Sequence, residues 1–317
     1  MVDTRQQQMR SSSLLASAHK PALHILNNIK KPFLVYGTAW KEDKTATYVE
    51  QAIRSGFRFI DTAAQPKHYY EAGVGEGWKN AVASLKGEQI ALDRSDLFLQ
   101  TKFSPSAGQN PNDTPYDPSA PLDQQVQQSI KGSLKNLQTD YLDSLVLHSP
   151  LSTMEDTLTV WRAMEDFVDQ GIVHRLGISN CYDYKYFTSL YDNVRIKPWV
   201  LQNRFYEDSN FDTQLRQFCK SHNIWYQSFW TLTANRHALA TPQAYDLAQT
   251  KRVSTPQTLM FAFLLSLGYV TPLSGTTSLQ HMKEDVEIME RFHNGEVFFH
   301  NEQELKDFAK LLGMPDL

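Results

Sequence analysis

The chain has 317 residues, two cysteines and a formal net charge of −4 at pH 7. The length suits one barrel-sized domain, the charge provides no basic face for nucleic acid, and two cysteines exclude a disulfide framework. The N-terminus lacks the apolar segment of a secretory signal, although its serine, glutamine and arginine content leaves a transit peptide open. No apolar stretch is long enough to span a bilayer. We therefore expect a cytoplasmic protein with neither membrane nor nucleic-acid partners.

Eight short apolar or β-branched segments recur along the chain as predicted strands. They begin, in chain order, at Pro32, Phe57, Leu97, Leu142, Val173, Trp199, Ile224 and Gly268. Helical patterns fill the intervals between them, and eight such alternations are what a closed parallel barrel requires. We predict an α/β chain folded as a single-domain (β/α)8 TIM barrel. An open doubly wound sheet is the alternative, but the first strand–helix junction lacks a glycine-rich dinucleotide motif.

Two of the intervening helices are readable in detail. Apolar residues recur at helical spacing over residues 126–137 and 158–167. For the second of these helices we predict a capping box of Ser152 with Glu155 at the start. We also predict that Gly171 ends it.

The C-terminal ends of the strands are where a barrel of this kind carries its chemistry. The polar and aromatic residues at those ends are Thr38, Trp40, Asp61, Lys102, His148, Ser179, Asn180, Gln202, Asn203, Phe229, Trp230 and Ser274. Any one of them is more often a turn or cap residue than a catalyst. An acid, a lysine and a histidine facing one mouth are harder to explain in that way.

Asp61 and Lys102 suggest a specific chemistry. A carboxylate behind an apolar strand needs a partner, and a lysine ending the next strand would provide it. A tyrosine near this cation would have its pKa lowered from ~10, which suits a general acid. His148 would orient a carbonyl oxygen, and the group together would stabilise a developing alkoxide. No side chain donates hydride, so a nicotinamide cofactor would have to supply it.

Seven segments, in matching order and spacing, resemble the aldo-keto reductase family. They are GTAW, FIDTA, YEAGVGEG, LFLQTKF, SLKNLQTDYLDSLVLHSP, VHRLGISN and VLQNRF. The resemblance runs from about Pro32 to the end, so we expect an N-terminal, partly flexible extension at residues 1–31 and the barrel at residues 32–317. It implies NAD(P)H-dependent reduction of an aldehyde or ketone, without a metal, by a tetrad of Asp61, a tyrosine, Lys102 and His148.

The family pattern does not place the tyrosine directly, because counting back from Glu71 reaches His68. The residues between Asp61 and the tyrosines also lengthen the connection. We choose Tyr69 over Tyr70, with His68 as a third candidate. The residues expected around the substrate are Trp40, Tyr70, Phe103, Tyr116 and Trp230.

The resemblance also implies which residues hold the cofactor. Ser179, Asn180 and Gln202 would bind the carboxamide, and Phe229 would stack on the nicotinamide ring where the family commonly has tyrosine. The remaining cofactor residues are Thr38, Ser274, Thr276, Thr277, His281 and Asp285. Leu273 stands where many members have a lysine for the 2′-phosphate. We therefore expect NADP(H) to be preferred, with NAD(H) discriminated against less strongly.

Two other functions remain open. A nucleotide-sensing regulatory module shares the family's fold, although it would not need all four tetrad residue types. A metal-dependent barrel hydrolase would need paired histidines on the first strand, and none is present. His148, where alkene-reducing members carry glutamate, predicts reduction of the carbonyl group of a small molecule. We expect a monomer.

Overall fold

The structure is a computed structural model that describes residues 29–317. The predicted extension at residues 1–31 lies outside the described residues except for residues 29–31. Among the helices of the described part, none combines the length and apolar character needed to cross a membrane.

Eight parallel strands close into one barrel in which each strand pairs with its neighbours in chain order and β8 pairs with β1. The strands are β1 (Val35–Gly37), β2 (Phe59–Asp61), β3 (Phe98–Phe103), β4 (Ser144–Leu147), β5 (Leu176–Ser179), β6 (Val200–Arg204), β7 (Trp225–Phe229) and β8 (Val270–Ser274). Each lies within one of the eight predicted segments. The predicted (β/α)8 barrel is confirmed.

Helices occupy the connections and form the outer layer. They are α1 (Thr45–Ser55), α2 (Glu71–Gly87), α3 (Leu122–Leu137), α4 (Met154–Asp169), α5 (Tyr184–Asn193), α6 (Thr213–Ser221), α7 (Thr231–Ala234), α8 (Arg236–Leu239), α9 (Pro242–Thr250), α10 (Pro256–Ser266), α11 (Leu279–His293) and α12 (Glu302–Leu311). The short α7 and α8 follow β7 without an intervening strand, so the connection from β7 to β8 is the most elaborate in the barrel.

The ends of α4 show how closely sequence signals locate a helix. Gly171 follows the helix with φ 71°, a left-handed conformation that favours glycine, so the predicted stop is confirmed. The predicted capping box is wrong by one residue. Thr153 is the N-cap, and its side chain accepts a hydrogen bond from the backbone N–H of Asp156. Thr153 and Ser152 are both good caps, and the path of the chain from β4 decides between them.

Aromatic rings fill the N-terminal end of the barrel interior. Phe33 stacks on Phe59 with 3.7 Å between ring centroids, and Phe59 lies 5.1 Å from Phe98. Trp199, which precedes β6, lies 5.4 Å from Phe98 and 6.4 Å from Phe33. Because these rings come from opposite sides of the barrel and still touch, they close its lower end with apolar surface.

Candidate active site

A buried ion pair stands at the C-terminal end of the barrel interior. Asp61 is the last residue of β2, and its Oδ2 lies 2.6 Å from the Nζ of Lys102 on β3. The same Nζ donates to the carbonyl oxygen of Thr62 at 2.8 Å. The predicted pairing is therefore present. Burial lowers the pKa of Lys102, and the charge of Asp61 opposes that shift.

Three glutamines complete the surroundings of the Asp61 carboxylate. Its Oδ1 accepts hydrogen bonds from the Nε2 atoms of Gln100, at 2.7 Å, and Gln202, at 3.0 Å. Both amides also donate to the Oε1 of Gln227 at 2.8 Å. A buried ion pair is tolerated when its remaining hydrogen-bonding capacity is satisfied in this way. Sequence reasoning missed Gln100 and Gln227, although inward-facing positions alternate along β3 and would have indicated Gln100.

Tyr69 is the tyrosine that lies next to the ion pair. Its ring centroid is 5.1 Å from the Nζ of Lys102 and 5.9 Å from the imidazole of His148, which meets it edge-on. Tyr70 is 47% exposed and precedes α2. His68 turns to the rim, where its ring lies 3.9 Å from that of Trp40. Of the three candidates, Tyr69 alone contacts both predicted partners.

The expected direction of the shift in the tyrosine's pKa is wrong. Burial raises the pKa of Tyr69, and the negative charge of Asp61 raises it further. Lys102 does not reverse this shift because its charge is already compensated by Asp61 at 2.6 Å. Tyr69 therefore carries its proton at neutral pH.

His148 follows β4 and is held by a serine that sequence reasoning missed. Its Nδ1 lies 2.6 Å from the Oγ of Ser104, the first residue after β3. Burial, together with the charge of Lys102, lowers the pKa of His148 well below its usual range. The imidazole is therefore neutral at pH 7, and a Ser104 hydroxyl that donates to Nδ1 leaves the ring proton on Nε2.

The residues expected to bind a carboxamide lie together beside His148. Asn180 has φ 52°, and its Nδ2 donates to the backbone oxygen of His148 at 2.9 Å. The Ser179 hydroxyl donates to the backbone oxygen of Gln202 at 2.6 Å. Because the Nε2 of Gln202 is already engaged by Asp61 and Gln227, its Oε1 is the group left to accept a bond from a ligand amide.

The loop between β8 and α11 forms the other end of the site. Ser274 donates its hydroxyl to Asp285 at 2.6 Å, so this hydroxyl is engaged within the protein. Burial raises the pKa of Asp285 to about 7. Ser278 caps α11, and the helix N-terminus with the hydroxyls of Thr276 and Thr277 suits an anion.

Lys41 adds a cation at this end that sequence reasoning missed. It is 5% exposed, and its Nζ donates to the backbone oxygen of Gly275 at 2.9 Å. Burial lowers the pKa of Lys41 to about 8. Within residues 29–317, every ion pair involves other cations, so this buried lysine has no carboxylate partner. The only sequence signal was its position directly after Trp40.

One elongated cavity of about 660 Å³ joins the two ends. Its size lies in the usual range for small-molecule and cofactor sites. The predicted residues that line it are Trp40, Asp61, Tyr69, His148, Ser179, Asn180, Gln202, Phe229, Trp230, Ser274, Thr276, Thr277, His281 and Asp285. Lys102 lies directly behind this wall, bonded to Asp61.

Besides Lys102, four predicted site residues do not line the cavity. Phe103 faces the helix layer because Lys102, its neighbour on β3, faces the barrel interior. Tyr116, 5% exposed, packs against Phe103 and donates its hydroxyl to the backbone of Ser104, so the long loop after β3 folds back on itself. Thr38 is buried and donates its hydroxyl to the backbone oxygen of Asp61.

Tyr70 is the fourth of these residues, and the glycine at position 73 explains its placement. The Tyr70 ring lies against Gly73, where an added Cβ would come within 2.7 Å of the ring. The ring therefore packs on the first turn of α2 rather than on the cavity.

Two tryptophans form an exposed rim at the mouth of the cavity. Trp40 is 63% exposed and Trp230 is 49% exposed. Both have a left-handed backbone, with φ of 61° and 55°, which is rare for bulky residues. Such outliers are concentrated at ligand sites.

Among the described residues, no three side chains of metal-binding type come together.

Known proteins are similar to this chain along most of its length. The model of the Aldo/keto reductase family matches residues 34–297. An uncharacterized oxidoreductase of Schizosaccharomyces pombe is 29% identical over 241 residues, covering 76% of each chain. A methylglyoxal reductase of Escherichia coli is 25% identical over 237 residues, covering 74% of this chain and 76% of its own.

Solved structures show the same architecture. An aldo/keto reductase from Brucella melitensis matches with a TM-score of 0.69 and 22% identity, covering 88% of this chain and 94% of that one. The residues matched by the family model include all eight strands and the four residues predicted to form the tetrad. The chain therefore belongs to the aldo/keto reductase family.

Proposed function

We propose that the protein reduces an aldehyde or ketone to the alcohol with NADPH, and that Tyr69 is the general acid. The observation that carries this proposal is the position of Tyr69 in the cavity wall, between Lys102 and His148. Membership of the family and the reductases among its relatives support carbonyl reduction. A sensing module would not need an acid placed in this way.

Tyr69 and His148 would hold the carbonyl oxygen of the substrate. Both are neutral at pH 7, because burial raises the pKa of Tyr69 and lowers that of His148. The phenol and the neutral imidazole each have one proton to donate. Two donors aimed at one oxygen would stabilise the negative charge that develops there. When bound, the nicotinamide cofactor supplies the hydride. Tyr69 would then give its proton to the oxygen, and the cation of Lys102 would stabilise the phenolate that results.

The cavity wall fits a nicotinamide dinucleotide. Asn180 and the free Oε1 of Gln202 provide polar groups for a carboxamide beside Tyr69, and Phe229 provides an aromatic face. At the far end, Lys41 and the N-terminus of α11 provide positive charge and free N–H groups for phosphate. These residues would bind and orient the cofactor along the cavity.

We expect NADPH to be preferred over NADH by a modest factor. Leu273 lines the cavity in place of the family's lysine, and the carboxyl group of Asp285 takes up the Ser274 hydroxyl. Lys41 would compensate in part because it is a buried cation that pairs with no carboxylate in the described part of the chain. Neither Leu273 nor Lys41 selects strongly for the 2′-phosphate.

The proposal is tested by mixing the purified protein with NADPH and a panel of aldehydes, ketones and enones, while following NADPH absorbance. We expect turnover of several aldehydes, and an allylic alcohol as the product from an enone. Binding of NADPH without turnover of any panel member would instead favour the sensing module. A saturated ketone as the sole product from an enone would contradict the role given to His148.

Cofactor choice is tested separately with Leu273→Lys. One charge-assisted hydrogen bond contributes roughly 1.5–3 kcal/mol, so the ratio of kcat/KM for NADPH over NADH should rise by about one to two orders of magnitude. Val297→Lys, at an exposed apolar residue beyond α11, provides the control. A tenfold or greater preference of the unmodified protein for NADH would overturn the proposed cofactor.

A further inference from the structure

Arg204 is a cationic residue of the cavity wall that the proposed chemistry does not use. It is the last residue of β6 and stands two positions after Gln202, so both side chains point to the barrel interior and mouth. The residue between them, Asn203, faces away and donates its Nδ2 to Asp212. Arg204 therefore lies nearer the mouth than Gln202, which donates a hydrogen bond to Asp61.

Aromatic rings hold the guanidinium of Arg204 in place. Its Cζ lies 4.2 Å from the ring centroid of Trp230 and 5.1 Å from that of Tyr206. Stacking of this kind fixes the plane of a guanidinium while leaving its N–H edge free to bind. Trp230 is itself part of the exposed rim, so the oriented cation is at the substrate's entrance.

No anion among the described residues compensates this charge. In the part of the chain that the structure describes, Arg204 takes part in no ion pair. Its Nε is buried and has no hydrogen-bond partner. A buried donor without a partner is costly, and this one belongs to a side chain that lines the cavity, where a ligand group could reach the guanidinium.

Two carboxyl groups of the cavity wall are engaged elsewhere. Asp61 is paired with Lys102, and Asp285 is bonded to Ser274 on β8. The groups suited to the cofactor's phosphates, including Lys41 against Gly275, also belong to the β8 side of the mouth. Arg204 is on β6, and β7 lies between β6 and β8. Its place by the rim favours a substrate group over a cofactor phosphate.

We propose that Arg204 binds a carboxylate on the substrate, so that the preferred substrates are aldehydes or ketones bearing a carboxylate group. The planar guanidinium matches a carboxylate through two parallel hydrogen bonds. The rings of Trp40 and Trp230 would cover the apolar part of the same molecule. This inference rests on the proposed carbonyl reduction and names the class of carbonyl compound.

The test compares para-carboxybenzaldehyde with its methyl ester, which presents the same reacting aldehyde without the charge. In the unmodified protein, kcat/KM should be higher for the acid. In Arg204→Gln, the ratio of the two kcat/KM values should fall by about 10- to 100-fold, mainly through KM of the acid. Arg204→Lys should recover part of the ratio, because it keeps the charge and loses the bidentate geometry. Arg162→Gln, an exposed arginine of α4, is the matched control and should leave the ratio unchanged.

Two outcomes overturn the inference. The first is an unchanged acid-to-ester ratio in folded Arg204→Gln. The second is a rise in the NADPH dissociation constant of Arg204→Gln, measured by tryptophan fluorescence, together with an equal fall in kcat/KM for both substrates. That result would assign Arg204 to the cofactor.

Failure of the proposed function would look different. If the unmodified protein reduces neither substrate, binding of benzoate and benzamide is compared by ligand-detected NMR. Selective loss of benzoate binding in Arg204→Gln would support the carboxylate site without turnover. Equal binding by the variant and the unmodified protein would overturn it.

Discussion

At the N-terminal end of the barrel interior, aromatic rings stack on one another, whereas at the C-terminal end an ion pair and three glutamines cross the same space. Phe59 contacts Phe33 on one side and Phe98 on the other through apolar surface alone. Asp61 and Lys102 are as deeply buried, but each charged atom has a hydrogen-bond partner. One end of a single barrel can therefore supply stability while the other keeps charges in place for chemistry. Substitutions at the two ends should separate these contributions.

The largest expected effect is that of Tyr69→Phe at the C-terminal end. Removing the proton donor should lower kcat by roughly 10²- to 10⁴-fold, the usual contribution of a general acid. Tyr70→Phe is the matched control. Its ring packs on α2 instead of lining the cavity, so kcat should stay within a few-fold of the unmodified value. Steady-state kinetics with one aldehyde measures both, and the reverse ranking would move the acid to Tyr70.

Lys102→Met should lower kcat by at least ~100-fold, since it removes the cation beside the phenol. It also leaves the Asp61 carboxylate buried without its ion-pair partner, which destabilises proteins by about 3–5 kcal/mol. The double variant Asp61→Asn/Lys102→Met should regain stability in urea unfolding without regaining activity. Lys86→Met, an exposed lysine of α2, is the control. Substantial turnover by folded Lys102→Met would show that the tetrad is assigned wrongly.

Phe59→Ala tests the N-terminal end, where the expected effect is on stability. Deleting a buried phenylalanine costs about 3–5 kcal/mol in the free energy of unfolding. Its contacts are rings at the base of the barrel, so kcat/KM per folded molecule should change less than threefold, roughly 0.6 kcal/mol. Urea denaturation and active-site titration measure the two quantities. A loss of kcat comparable with that of Lys102→Met would mean that the two ends of the barrel do not contribute separately to stability and to activity.

The smallest expected effect is that of Ser104→Ala, which removes the hydroxyl next to His148 Nδ1. Loss of one hydrogen bond of about 0.5–1.5 kcal/mol predicts a roughly two- to tenfold fall in kcat/KM. Ser104→Thr keeps a hydroxyl and should restore most of the activity. If Ser104 has only a structural role, the pH dependence of kcat/KM should not change. If its hydroxyl holds the imidazole of His148, Ser104→Ala should shift the acidic limb of that pH dependence. Ser106→Ala, at an exposed serine of the same loop, is the control and should change neither kcat/KM nor its pH dependence.

Much of the fold was readable because barrel strands are short apolar segments followed by helices with their own spacing. The positions of Asp61, Lys102 and His148 followed, since chemistry in such barrels lies at strand ends. Errors arose where local signals were ambiguous. The start of α4 moved from Ser152 to Thr153, two residues with similar capping ability.

Other errors came from treating neighbours as if they faced the same way. Phe103 follows Lys102, and alternation on a strand sends it to the helix layer, so the sequence already contained the signal. Tyr116 is different. Its contact with Phe103 depends on how a long loop folds back over β3, which no local spacing predicts.

The sequence by itself determined the order of strands and helices, the residue types at the strand ends and the family to which the chain is similar. These features depend on periodicity and on motifs that are local in the chain. The tertiary structure alone decided which tyrosine meets Lys102, which way its pKa shifts, and that Lys41 and Arg204 lie beside one cavity without acidic partners among residues 29–317. Hydrogen bonds, burial and charge compensation depend on distances between atoms far apart in sequence, and only the closed barrel sets those distances.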